Sequence, residues 1–145
     1  MFDRFFKRRK ADKKQNSIAN MVRQILNNGS TGLHINLYAE NQILFQIIPA
    51  FHYEKWGIKG SELSGFIELH FFSENKTLTV DNQPIANKLA KDGELIYFED
   101  PKGIYNYIKA IGSDPDNIET VIQQRIKEMY SNIKSDEITI EYAEY

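Results

Sequence analysis

Three histidines, His34, His52 and His70, are the side chains best suited to bind a metal or to move a proton near neutral pH. Zinc takes neutral imidazole, and strands from distant parts of a chain can bring such ligands together. No two of the three lie within one helical turn, and none belongs to a His-Glu-x-x-His segment, so spacing assigns no metal. Glu68 and His70 stand two residues apart. On a strand that spacing puts both on one face, so a carboxylate–imidazole pair for acid–base work is sterically available. An enzyme could be built from this constellation, but no nucleophile or substrate pocket accompanies it. The competing reading, polar residues on a half-exposed sheet face, needs no ligand and is the one favoured here.

Other chemical signatures fail on particular residues. A calcium loop starting at Asp114 needs glycine at its sixth position and an acid at its twelfth, where the chain has Glu119 and Arg125. The glycines of Gly29-Ser-Thr-Gly32 leave a helix and enter a strand, the wrong polarity for a phosphate cradle. Neither Gly-x-Ser-x-Gly nor a dinucleotide-binding glycine fingerprint occurs. The chain has no cysteine, which removes disulfides, thiol nucleophiles and thiolate metal sites. The sequon at Asn75 has meaning only on export. These failures predict no catalytic residue, no metal and no cofactor, and no family resemblance is evident.

Three surfaces remain as candidates for binding. Residues 1–14 carry seven basic side chains and two acidic ones, +5 within a chain of net −2, so the other 131 residues sum to −7. Phe2, Phe5 and Phe6 interleave there with Arg8, Arg9 and Lys10, a pattern suited to an anionic membrane surface and, second, to phosphates of nucleic acid. The acidic body opposes both, and a solvated tail is the plain alternative. The segment 51–65 is long for a strand connection and holds Tyr53, Trp56 and Ile58, side chains of the kind that anchor protein interfaces. Near the end of the chain, Glu137 and Glu141 fall on one face of an expected strand, with no Lys or Arg after Lys134, an acidic stripe able to steer a basic partner.

The elements that position these residues follow from periodicity. Residues 1–15 form a basic, aromatic tail and 16–145 one domain, and the 41% hydrophobic residues of the whole chain are enough for a core. Ile18, Met21, Val22, Ile25 and Leu26 share one helical face, capped by Asn16 or Ser17. Leu33–Leu37 alternates as a strand, Glu40-Asn41 turns into a denser strand over 43–48, and 66–72 makes a third. Ser73–Lys76 reads as a hairpin loop leading to a short strand at Leu78 and Val80. Asn82 and Pro84 open a short helix closed by Gly93, and Leu95–Phe98 is a strand. Asp100-Pro101 predicts a helix through Ile104, Tyr107, Ile108 and Ile111. Asp116 with Glu119 starts the longest helix, and 138–142 alternates in a final strand.

The expected fold is α+β, an antiparallel sheet of about five or six strands with helices packed on it. The lack of an apolar run of membrane length or a secretory leader makes the cytoplasm the default location. The function this pattern favours is a small, acidic, non-enzymatic protein-binding module. A bacterial immunity protein that neutralises a basic, nuclease-like toxin would fit it, by analogy of class and charge alone. A membrane-recruited accessory protein, and an enzyme using Glu68 and His70, are the alternatives.

Overall fold

The computed structural model describes residues 17–28, 33–40, 42–49, 65–72 and 82–144. Its elements run α1 (Ile18–Asn28), β1 (Leu33–Ala39), β2 (Gln42–Pro49), β3 (Phe66–Phe72), α2 (Gln83–Lys91), β4 (Ile96–Glu99), β5 (Tyr105–Gly112), α3 (Pro115–Met129) and β6 (Thr139–Glu144). The strands make one sheet in the order β4-β5-β3-β2-β1-β6, with every neighbouring pair antiparallel. The α+β arrangement is as expected from the sequence. No described helix is long and apolar enough to cross a membrane.

Alternation along the strands gives the sheet two faces. One face carries Ile35, Leu37, Phe45, Ile47, Phe66, Phe72 and Tyr107, and it buries them with Met21 and Val22 of α1, Ala86 of α2, and Ile118, Ile122 and Met129 of α3. The other carries a smaller apolar cluster of Ile48, Ile67, Leu69 and Ile108. Each fully buried side chain of this size contributes roughly 1.5–3 kcal/mol relative to exposure, so the helix-covered face supplies most of the stabilisation.

Local chemistry accounts for the element ends. The Ser17 hydroxyl accepts from the Asn20 amide at 3.2 Å, capping α1 as its position predicts. The cap of α3 falls two residues earlier than expected. The Asp114 carboxylate accepts from the Asp116 amide and Pro115 occupies the first turn, so the Asp116–Glu119 capping box does not form. Asn82 precedes α2 without a side-chain cap bond.

One expected element is of the wrong type. The stretch from Asp100 to Gly112 is not a helix but a tight turn followed by β5. The Asp100 carboxylate accepts from the Lys102 and Ile104 amides at 2.8 and 3.1 Å, and Gly103 takes a left-handed φ of 80°. This aspartate turn uses the donors that a helix start would have left free, and it folds β5 back on β4. The helical spacing of Ile104, Tyr107, Ile108 and Ile111 misled because β5 is apolar on both faces, so its pattern is not a clean alternation.

The final strand, whose place periodicity leaves open, sits at the sheet edge beside β1. The strand expected at Leu78 and Val80, the Ser73–Lys76 loop, the basic tail and most of the segment 51–65 lie outside the described residues.

Candidate functional site

Glu68 and His70 do share a face of β3, the one covered by helices, and both are completely buried. His70 Nε2 lies 2.8 Å from Glu68 Oε2, the pair foreseen from the spacing. The sequence reading missed their two partners on and just after α3. Arg125 Nε donates to Glu68 Oε2 at 2.9 Å and its second guanidinium nitrogen to Oε1 at 2.9 Å, a two-pronged contact. Tyr130, the residue closing α3, places its hydroxyl 2.9 Å from His70 Nδ1 and 3.1 Å from the Leu44 carbonyl. Phe45 stacks on His70 with ring centroids 4.5 Å apart and lies nearly parallel to Tyr130.

A signal for Arg125 was present. It lies three residues after Ile122 and four before Met129, inside the buried stripe of α3, where a lone base needs an acid opposite it.

Burial by itself would raise the Glu68 pKa, but the bonds and charges of His70 and Arg125 outweigh it and hold the carboxyl below its ordinary range. For Arg125 burial acts against the charge, and Glu68 more than restores it, so the guanidinium pKa is raised. Burial, reinforced by the charge of Glu68, pushes the Tyr130 hydroxyl well above its usual value, so it stays protonated. Its one proton has two acceptors within reach. These are the Leu44 carbonyl and His70 Nδ1.

The chemical consequence is that every polar atom of the Glu68–His70 pair is already engaged by protein. Both carboxylate oxygens and both ring nitrogens have partners, and neither side chain reaches solvent. A general acid or base must come within hydrogen-bond reach of a substrate, and this pair has no such approach. His34 and His70 do not converge, because His34 alternates with Ile35 and therefore lies on the opposite face from His70; His52 is outside the described residues. No three-ligand group able to hold a metal occurs among the described residues.

Of the expected binding residues, Tyr53, Trp56 and Ile58 lie outside the described residues, as do Phe2, Phe5, Phe6, Arg8, Arg9 and Lys10. Glu137 and Glu141 are described, and they do not form a stripe. Glu137 is exposed in a short 3-10 turn before β6, whereas Glu141 is buried within β6 opposite Asn36. The turn breaks the two-residue period that would have aligned them.

Among the described residues the exposed apolar surface lies elsewhere. Ile96 and Tyr97 are 52% and 46% exposed, and with Leu26 they are the large hydrophobics left open among the described residues. They are adjacent on β4, the strand at the far edge of the sheet from β6. Tyr97 packs its ring against Tyr107 and Tyr105 at 5.2 and 6.4 Å. Exposed Asp92, Glu94 and Glu99 and half-buried Asp100 flank the strand, with Lys91 and Lys102 farther out.

No protein-family model, curated protein or solved structure matches this chain.

Proposed function

We propose that this chain is a non-enzymatic protein-binding module whose partner is basic, with the work of an inhibitor or immunity protein as the role that best fits its size and charge. The observation that carries this reading is the exposed Ile96–Tyr97 pair on an edge strand bordered by acids. Aromatic and aliphatic residues left open beside charged ones are what a protein interface uses, the apolar centre giving affinity and the charge giving approach. The net −7 of the residues after the tail selects for a partner of opposite sign. The engagement of both Glu68 and His70 by Arg125 and Tyr130 weighs against catalysis by that pair.

The test is affinity capture from native lysate with the full chain and with the doubly substituted Ile96→Ser/Tyr97→Ser chain. The expected result is a basic protein retained by the first and lost by the second, with unchanged circular dichroism. Under the inhibitor reading, the captured protein is hydrolytic or toxic alone and silent in the complex. Equal capture by both chains would remove β4 from the interface.

A further inference from the structure

We infer that β4 is a site for strand addition: it accepts an extended segment of another protein, apolar at its centre and flanked by Lys or Arg, as a seventh strand of the sheet. This rests on the protein-binding reading and specifies how that surface is used. Among the described strands, β4 has a neighbour on one side only, so the backbone N–H and C=O groups on its outer side form a template for another chain.

The side chains point to the same use. Ile96 and Tyr97 are consecutive, so they lie on opposite faces of the sheet. A partner packed flat on either face would cover one and leave the other in water. A strand laid along the edge covers both, because its own side chains alternate in step.

Register makes the fit more specific. Ile96 is paired with Ile108, which is paired with Leu69, an apolar row on the face away from the helices. Tyr97 is paired with Tyr107, which is paired with His70, an aromatic row on the helix-covered face. Among the described residues each row is open at its β4 end. An incoming strand extends both by placing apolar side chains beside Ile96 and Tyr97, where cross-strand neighbours interact most strongly.

Charge chooses the source of the strand. Glu94 and Glu99 bracket the apolar pair, and Lys109 contacts Glu94 at 3.3 Å while leaving it half exposed. In an antiparallel pairing of β4 with a second copy of this chain, Glu94 of one copy meets Glu99 or Asp100 of the other, a like-charge contact that is destabilising. A segment with basic residues at both ends of an apolar run meets those same acids favourably.

The probe is a capped synthetic peptide with four β-branched residues between two pairs of lysines. One control carries prolines at two of the central positions, and the other has glutamates in place of the lysines. Amide hydrogen exchange of the full chain is followed by NMR. The expected result is that the first peptide slows exchange of outward-facing β4 amides about ten-fold or more, while neither control does. The Tyr97→Lys variant, a surface change at an edge, should lose that protection with the rest of its exchange pattern intact.

If the peptide shifts resonances elsewhere but leaves β4 exchange unchanged, strand addition is wrong while binding of a basic partner stands. If the proline control protects β4 equally, main-chain pairing is wrong. If neither the lysine peptide nor the captured partner perturbs any residue, both readings fall. Self-association on sedimentation that Tyr97→Lys abolishes would assign the edge to a second copy instead and overturn the proposal.

Discussion

Glu68 carries its charge into a fully buried position, and its stability there depends on the groups facing it. Removing one member of a buried pair costs more than the pair contributes, because the survivor is left charged and unsolvated. Arg125→Met should therefore destabilise the fold by about 3–5 kcal/mol in urea unfolding. Replacing both, as Glu68→Leu with Arg125→Met, should cost clearly less than the single change; an additive result would mean that the two side chains act independently. The pH dependence follows from the directions of the shifts. Glu68 is held below its ordinary 4.5, so its contribution is complete above that value and is lost as pH falls through the lower folded one. Tyr130 is raised above its ordinary 10.0, so its contribution is complete below 10 and declines as pH rises beyond it. Stability measured against pH should thus fall at both extremes, with Glu68→Gln flattening the acid limb and Tyr130→Phe the alkaline one. Unchanged limbs in these variants would place the titration on other groups.

At the scale of elements, two positions decide how the chain turns. Gly65 has a left-handed φ of 100°, and a Cβ added there would overlap the carbonyl of Gly112, which closes β5 beside the start of β3. Gly65→Ala should lower stability by about 2 kcal/mol or more, through backbone strain and the clash together. Asp114→Ala removes the cap of α3 and should cost about 1 kcal/mol, with the loss concentrated in hydrogen exchange of the first helical turn. The β5 segment shows where sequence reading gives out at this scale. Its side chains fit a helical stripe, and only the aspartate turn at Asp100 and the pairing with β3 and β4 select the strand. The alternation of β1 was legible because polar His34 and Asn36 stand on one of its faces, although both are buried, and the helical stripes of α1 and α3 because one side of each helix faces water.

Across the whole molecule, the sheet has its exposed apolar residues at one edge, on β4, and a run of acidic residues at the other, around β6. An acidic body that meets a basic partner associates by electrostatic steering, so the on-rate should drop steeply as salt is raised while the off-rate changes little. Stopped-flow mixing with the captured partner at several ionic strengths checks this; a salt-independent on-rate would rule out the steering. Of the candidate site, the sequence disclosed the Glu68–His70 spacing. It did not pair Glu68 and His70 with Arg125, whose place in the α3 stripe was the one signal, or with Tyr130; these approach from 57 and 60 residues away along the chain. The exposure of Ile96 and Tyr97 was equally hidden, since an apolar pair in a short strand reads the same at an edge as in the centre.

The sequence by itself determined the α+β class, most of the element boundaries and the acidic charge of the body, because these follow from periodicity and composition, which are local or additive. Only the tertiary structure decided that the Glu68–His70 pair is a closed, buried network, that Glu137 and Glu141 do not align, and that β4 lies at the edge of the described strands. Burial and strand order depend on which distant segments meet. No spacing along the chain records that, because side chains far apart in sequence become neighbours only when the sheet has assembled.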